Sequence, residues 1–296
     1  MTVGTTPDTF HETPYITINE YKNAPTSIDY NNLVVGGNQN AQDAELKKVI
    51  LRASSYMDEY FNANLNATRY TETQRTRFTP DGFIALHPNN FPIASLESFN
   101  YGTTPNNLIT LSDPSVAWFE EQQLIIPLSN IAVSYSSQGP LSFGGYGISR
   151  QQVYCKYTYV AGYVNNPIVS GTAGATSLTV GRAEGILPNQ QLRIYDGVNS
   201  ESVIVASNYT YGSTTVPITT PLDHSHTTGS SIGNLPNALK QACILITTAF
   251  LKVRGDRSMT MNITTAPDTT FASGANRYGT EIALALDMVN KYRRIR

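Results

Sequence analysis

Histidine and carboxylate side chains are the groups in this sequence whose types and spacing could do metal or acid–base chemistry. Two of the four histidines, His224 and His226, alternate in the stretch DHSH and would share one face of a strand. A metal site needs a third ligand at a suitable spacing, and none is evident. The stretch is therefore either a metal site or, more simply, a polar turn, and we predict no metal and no cofactor.

Paired carboxylates occur at Glu120 with Glu121 and at Asp196 with Glu201. A glycosidase uses two carboxyl groups on either side of a sugar, but the sequence cannot place these pairs in that way. No GxxxxGK[ST], GxSxG or HExxH motif is present. The stretch SFGGYG lacks the lysine and the strand–helix context of a phosphate loop. We therefore expect a protein that is not an enzyme.

The two cysteines, Cys155 and Cys243, lie in a strand-like and a helix-like stretch. No CxxC or metal-binding spacing connects them, so either a disulfide or two small buried thiols fits, and the thiols need fewer assumptions. The N-terminus has no basic-then-apolar leader, and no apolar run is long enough to span a membrane. We expect a soluble protein with no membrane partner.

The composition is poor in charge and rich in tyrosine. Charged residues make up 14% of the chain, against about 25% in an average soluble protein. Eighteen tyrosines suit surfaces that meet other proteins, and they suit ordinary sandwich cores equally well. The formal net charge of −2 argues against a protein that grips DNA by its phosphates. It still allows a protein that surrounds DNA without holding it.

Apolar residues at helical spacing predict three helices, at about 41–63, 236–254 and 280–295. The second is apolar on more than one face, since Ile244, Leu245 and Leu251 lie off its main stripe. Such a helix needs cover on more than one side. That cover could come from a neighbouring subunit or from the same chain.

Alternation with a period of two predicts two β-rich units, at 68–163 and 167–233. The Gly-rich stretch 136–151 predicts an exposed loop between strands. The fold class is therefore α+β, a small helical domain with two inserted β-rich units. The predicted domains are an arm (1–14), the helical domain (15–67 with 234–257 and 280–296), the two β units, and a flexible strap (258–279).

The last nine residues, MVNKYRRIR, form a basic tip on the third helix. Three interpretations remain for it: contact with a protein partner, neutralisation of its own helix dipole, and contact with DNA phosphates.

Three stretches resemble the head–tail connector (adaptor) proteins of tailed bacteriophages. They are INEYKNAP followed by AELKKVILRASSYMDEYFN, then LPNALKQACILITTAFLKVRGD, and finally ALDMVNKYRRIR with its Tyr292-Arg293 pair. The resemblance covers about a third of the chain, and the two β units depart from the compact helical members of the family.

The resemblance implies a structural virion protein at the head–tail junction, made in the host cytoplasm. It would form a ring, typically of twelve subunits, below the portal protein, with DNA passing through the lumen and downstream neck or tail proteins on the other side. Removal of 280–296 would then abolish portal binding and leave a folded protein.

The resemblance also assigns candidate contacts. The portal contacts would be Leu284, Met288, Lys291, Tyr292, Arg293, Arg294 and Arg296. The contacts between subunits would be Ile244, Leu245, Leu251, Tyr56 and Tyr60. The exposed loop, with Phe143, Gly144, Gly145 and Tyr146, would receive the next tail component.

Two alternatives share the composition. The first is another β-rich virion protein, such as a tail, decoration or glycan-binding protein, which does not account for the helix, strap and helix at the end. The second is a hydrolase with a β-rich body, which would need a cleft with convergent carboxylates.

Overall fold

The computed structural model describes residues 6–7, 13–26, 28–31, 33–79, 83–120, 122–127, 152–253 and 280–292. The predicted strap and the glycine-rich loop with Phe143, Gly144, Gly145 and Tyr146 lie outside these ranges. Contacts divide the chain into two compact units. Unit 1 contains residues 1–11 and 67–163, and unit 2 contains residues 12–66 and 164–296.

Unit 1 is built from two antiparallel sheets. Its strands are β1 (Thr6–Pro7), β2 (Thr68–Arg77), β3 (Phe83–Leu86), β4 (Ile93–Thr104), β5 (Asn107–Thr110), β6 (Trp118–Glu120), β7 (Gln123–Pro127) and β8 (Gln152–Ala161). One sheet has the order β1-β2-β8-β4-β5 and the other β3-β7-β6. Both sheets contribute to one apolar core, in which Ile84 and Leu124 of the small sheet join Phe99 and Tyr157 of the large one.

The sheet of unit 2 closes on itself. Its strands are β9 (Asn165–Gly171), β10 (Ser177–Val180), β11 (Gln191–Tyr195), β12 (Ser202–Ile204), β13 (Thr215–Pro217), β14 (His226–Thr227) and β15 (Ser231–Gly233). The order is β12-β11-β15-β9-β10-β13, and β14 pairs with β9. A bridge between Val205 and Ile218, with the Thr219 amide donating to the Ile204 carbonyl at 2.9 Å, joins the two ends. Alternate residues such as Leu192, Ile194 and Val203 fill the interior.

The helices of unit 2 are α1 (Ile18–Lys22), α2 (Gln39–Phe61), α3 (Asn237–Val253) and α4 (Thr280–Val289). Thr17 and Glu20 form a reciprocal capping box on α1, and the Asn38 side chain caps α2. Asn62 ends α2 in the left-handed conformation, with φ of 55°. A 3-10 turn, Asn290–Tyr292, follows α4.

The α+β fold class is confirmed, since long helices and antiparallel sheets coexist. The alternating pattern of AWFEEQQLIIPL predicts a single strand, and this prediction is wrong. The stretch folds as the hairpin of β6 and β7, in which Leu124 lies opposite Phe119. The turn contains no Gly, Pro or Asn, so the sequence does not predict it.

Candidate functional site

Helix α4 is the element that carries the predicted portal contacts, and its inner stripe fixes it in place. Ile282, Ala285 and Val289 are buried, and α4 packs against α3. At its start, Glu281 pairs with Lys252 near the end of α3. The helix is therefore part of the helical core, and its outer face is held in a defined orientation.

The outer face of α4 presents an apolar residue between charged ones. Leu284 is 54% exposed, Asp287 and Lys291 are exposed, and Met288 and Tyr292 are half-buried. The Lys291 ammonium lies 5.0 Å from the centre of the Tyr292 ring. An exposed leucine with neighbouring charges suits contact with another protein surface. We call Leu284, Asp287 and Met288, together with Lys291 of the 3-10 turn that follows, the outer face of α4.

Three of the predicted portal contacts are not described by the structure. Arg293, Arg294 and Arg296 lie outside the described residues. Their contribution to the basic tip therefore stays a prediction.

The residues predicted at subunit contacts are partly covered by their own chain. The Tyr56 ring packs edge-on against Phe250 of α3, with centroids 6.0 Å apart. Tyr60 packs against Phe61, and its hydroxyl donates to the Asn290 side chain at 3.2 Å. Contacts within the chain therefore cover part of these side chains, and a neighbouring subunit is not needed for that part.

The three residues predicted at subunit contacts on α3 differ in how much of their surface is exposed. Leu251 is only 7% exposed, whereas Ile244 and Leu245 are half-buried. The chain itself therefore covers Leu251, and little of its surface is left for a neighbouring subunit. Ile244 and Leu245 keep part of theirs.

Lys240 joins the helices of unit 2 to its closed sheet. Its ammonium lies 2.6 Å from a Glu20 carboxylate oxygen on α1, 3.5 Å from the Ser231 hydroxyl of β15, and 3.7 Å from the centre of the Tyr195 ring of β11. Burial lowers the pKa of Lys240, and the charge of Glu20 opposes that shift. Three elements therefore meet on one buried cation, which is satisfied within the chain.

His226 stands between the two carboxylates that the sequence paired. Its Nδ1 lies 2.8 Å from Asp196 and its Nε2 lies 2.7 Å from Glu201. Both ring nitrogens are therefore engaged, and the ring joins the two carboxylates within one small polar cluster. The amides of Asp223 and His224 also donate to Glu201, at 3.0 and 3.1 Å.

His224 and His226 do not share the face of one strand. His226 is buried at the start of β14, and His224 is exposed just before that strand, where no alternation applies. Among the described residues, no group of three His, Cys, Asp or Glu side chains could hold a metal ion. Of the other carboxylate pair, Glu120 is exposed and Glu121 lies outside the described residues.

A shallow groove of about 310 Å³ lies beside the start of α3. It is lined by Gln191, Arg193, Tyr195, Ser202 and Asn237, together with Leu192 and residues 233–236. The Arg193 guanidinium lies 5.5 Å from the Tyr195 ring centre. The lining is polar and mixed, and it contains no arrangement of an acid, a base and a nucleophile. Within the described residues, no helix is both long and apolar enough to cross a membrane.

Comparison with known proteins adds one weak likeness. No family model matches the chain, and no curated protein matches it. Among solved structures, the chain is similar to one in a structure described as "Neck of empty GTA particle computed with C6 symmetry". The two share 12% identity with a TM-score of 0.38, over 99% of this chain and 97% of the other. A TM-score this low does not establish a common fold, so the function is argued from the residues of this chain.

The buried carboxylate of Glu72 is the polar centre that the sequence did not reveal. It accepts hydrogen bonds from the Tyr159 hydroxyl, from the Tyr157 hydroxyl at 3.0 Å, and from the Asn89 amide at 3.1 Å. In the strand RYTETQRTRF, Glu72 follows buried Thr68 and Tyr70 at a spacing of two. The alternation alone predicts that Glu72 is buried, whereas its charged side chain predicts that it is exposed.

Proposed function

We propose that this chain is a structural protein of a virion neck, a head–tail connector that forms a ring below the portal. DNA would pass through the lumen, and downstream neck or tail proteins would bind on the side away from the portal. The role is one of assembly, with no catalytic activity. The observation that carries the proposal is the outer face of α4, which a helix anchored in the core holds toward a partner.

The helical arrangement supports this role in two ways. First, α4 follows α3 after residues 254–279, so a long connection lies between two helices that nevertheless pack together. Second, Leu284 remains largely exposed although its neighbours Ile282 and Ala285 are buried. An amphipathic helix with an apolar residue on its solvent side is typical of a docking element.

The charge balance and the polar centres fit a passive conduit. A net charge of −2 gives no strong electrostatic hold on a passing phosphate backbone. The carboxylates of Asp196 and Glu201 are bonded to His226, which supports a structural role over hydrolysis.

The role of α4 in the core decides how the proposal is tested. Deletion of 280–296 would remove Ile282, Ala285 and Val289 from the helical core, and we expect it to destabilise unit 2. The sequence-based expectation of a folded truncated protein is therefore replaced by a point substitution. Leu284→Glu changes the outer face and leaves the buried stripe intact.

The experiment measures co-sedimentation of the purified chain with portal rings from the same source. Leu284→Glu should weaken binding at least tenfold, because it would place a carboxylate where the portal covers the leucine side chain in the complex. Ile204→Glu is the matched control, since Ile204 is a comparably exposed apolar residue on the closed sheet. Equal binding by wild type and Leu284→Glu would refute docking through α4.

A further inference from the structure

The short strand β1 occupies the edge of the larger sheet of unit 1. Thr6 lies opposite Thr71, and Pro7 lies opposite Tyr70, in antiparallel register. The pairing is two residues long, and Pro7 has no backbone N–H to donate. A ladder this short forms few hydrogen bonds, so β1 is held weakly compared with the ten-residue pairing of β2 with β8.

Beyond Thr71, the same edge of β2 already has partners in its own unit. The Gln74 side chain accepts the His87 amide at 3.2 Å, and the Thr76 hydroxyl donates to the Ala85 carbonyl at 2.8 Å. Glu72 binds Asn89. The strand β1 therefore pairs with β2 at Tyr70 and Thr71, before these contacts begin.

The strand β1 is also distant in sequence from the rest of unit 1. The chain belongs to unit 1 up to His11, to unit 2 from Glu12 to Asn66, and to unit 1 again from Ala67. The described apolar core of unit 1 is formed by residues between Tyr70 and Ala161. In the sequence, β1 is therefore separated from the strands of this core by residues 12–66 of unit 2.

We propose that in the assembled ring β1 of one copy pairs with the Tyr70–Thr71 edge of the next copy. The contacts are the same within one chain and between chains, so exchange costs little once copies are neighbours. The inference rests on the proposed ring, which holds neighbouring edges at high effective concentration. Each subunit would then bind the next through its β1 strand, and these contacts would stabilise the closed ring.

The test mixes two single variants, Thr6→Cys and Thr71→Cys, before assembly and oxidises the assembled protein. A disulfide between the two variants can form only across a subunit boundary. Facing residues of an antiparallel ladder have Cα separations within the range of a disulfide. The natural cysteines, Cys155 and Cys243, are buried, so the background is low.

The matched control mixes Thr71→Cys with Thr158→Cys. These residues face each other inside one sheet, with hydroxyl oxygens 3.0 Å apart. A disulfide should form within the Thr71→Cys/Thr158→Cys double variant, and none should form when the two single variants are mixed. This control separates arm exchange from random contact between subunits.

We expect covalent dimers from the Thr6→Cys and Thr71→Cys mixture, and none from the control mixture. Rings of normal size without such dimers, together with an efficient internal disulfide in the Thr6→Cys/Thr71→Cys double variant, would overturn arm exchange and leave the connector function intact. A chain that stays monomeric in the presence of portal rings, again with only the internal disulfide, would overturn both.

Discussion

Unit 1 and the closed sheet of unit 2 each contain a glutamate that ties distant segments together, but its hydrogen-bond partners differ between the two. Glu72 is surrounded by neutral donors, namely two tyrosine hydroxyls and the Asn89 amide. Glu201 is paired with the His226 imidazole and with two backbone amides. Tyrosine therefore acts as a polar donor in unit 1, which gives part of the unusual tyrosine content a structural reason.

A third carboxylate, Asp58 on α2, shows what happens when fewer donors are present. It accepts a hydrogen bond from the Tyr15 hydroxyl. Burial raises the pKa of Asp58 to about 7, although that hydrogen bond lowers it. For Glu201, burial alone would raise the pKa, but hydrogen bonds from the Asp223 amide, His226 and the His224 amide lower it below its ordinary value. The number and charge of the donors decide the direction.

The largest effect should come from removing the Glu72 carboxylate. Glu72→Ala leaves the two buried tyrosine hydroxyls and the half-buried Asn89 without their acceptor, and we expect a loss of roughly 4 kcal/mol in the free energy of unfolding. Urea unfolding followed by tyrosine fluorescence measures it. Glu72→Gln should lose about half as much, because one oxygen remains as an acceptor. The exposed Glu120→Ala serves as control, and a loss of the same size there would contradict the account.

Replacing His226 by a ring without nitrogens removes its two contacts with Asp196 and Glu201 in unit 2. His226→Phe leaves the Asp196 and Glu201 carboxylates without their shared donor, and we expect a loss of roughly 3 kcal/mol. His224→Phe makes the same change at an exposed position and should cost under about 0.5 kcal/mol. Thermal unfolding of both variants at pH 7 compares them, and equal stability of the two would show that the His226 bridge contributes nothing.

The Asp58 carboxylate should be destabilising at high pH. Its folded-state pKa lies above the unfolded value of about 3.9, so its contribution is most favourable below that value and is lost as pH rises toward 7. Asp58→Asn should therefore stabilise the protein by roughly 2 kcal/mol at pH 8 and by almost nothing at pH 4. Chemical unfolding at both pH values measures this difference, and a pH-independent effect would refute the assignment.

Glu201 should show the opposite pH dependence with a smaller amplitude. Its folded-state pKa is lowered, so its stabilisation is present above the unfolded value of about 4.3 and is lost as pH falls through the folded value. Glu201→Gln should therefore cost about 1 kcal/mol at pH 6 and progressively less toward pH 3. A cost that grows as pH falls would contradict this sign.

The helices were predictable because local signals mark both their faces and their ends. The structure begins α2 at Gln39 and ends it at Phe61, against a prediction of about 41–63, since Asn38 and Asn62 act as caps. Helix α3, Asn237–Val253, differs from its prediction by one residue at each end. Helix α4 ends at Val289, earlier than predicted, because the chain tightens into the 3-10 turn at Asn290.

The polar centres were not predictable, because their partners lie far apart in the sequence. Glu72 meets Tyr157 and Tyr159 through the register of β2 with β8, which no local pattern specifies. Lys240 meets Glu20 across more than two hundred residues. The sequence shows Asp196 and Glu201 close together, but not the His226 imidazole of β14 that lies between them.

The central claim is that the chain forms a neck ring that docks on the portal through α4. Single-particle electron microscopy of particles from its own source, with the protein identified by a small tag, tests this most directly. We predict a ring of density directly below the portal, with α4 and the outer-face residue Leu284 against portal density. Density for this chain on the capsid surface or at the tail tip would contradict the account.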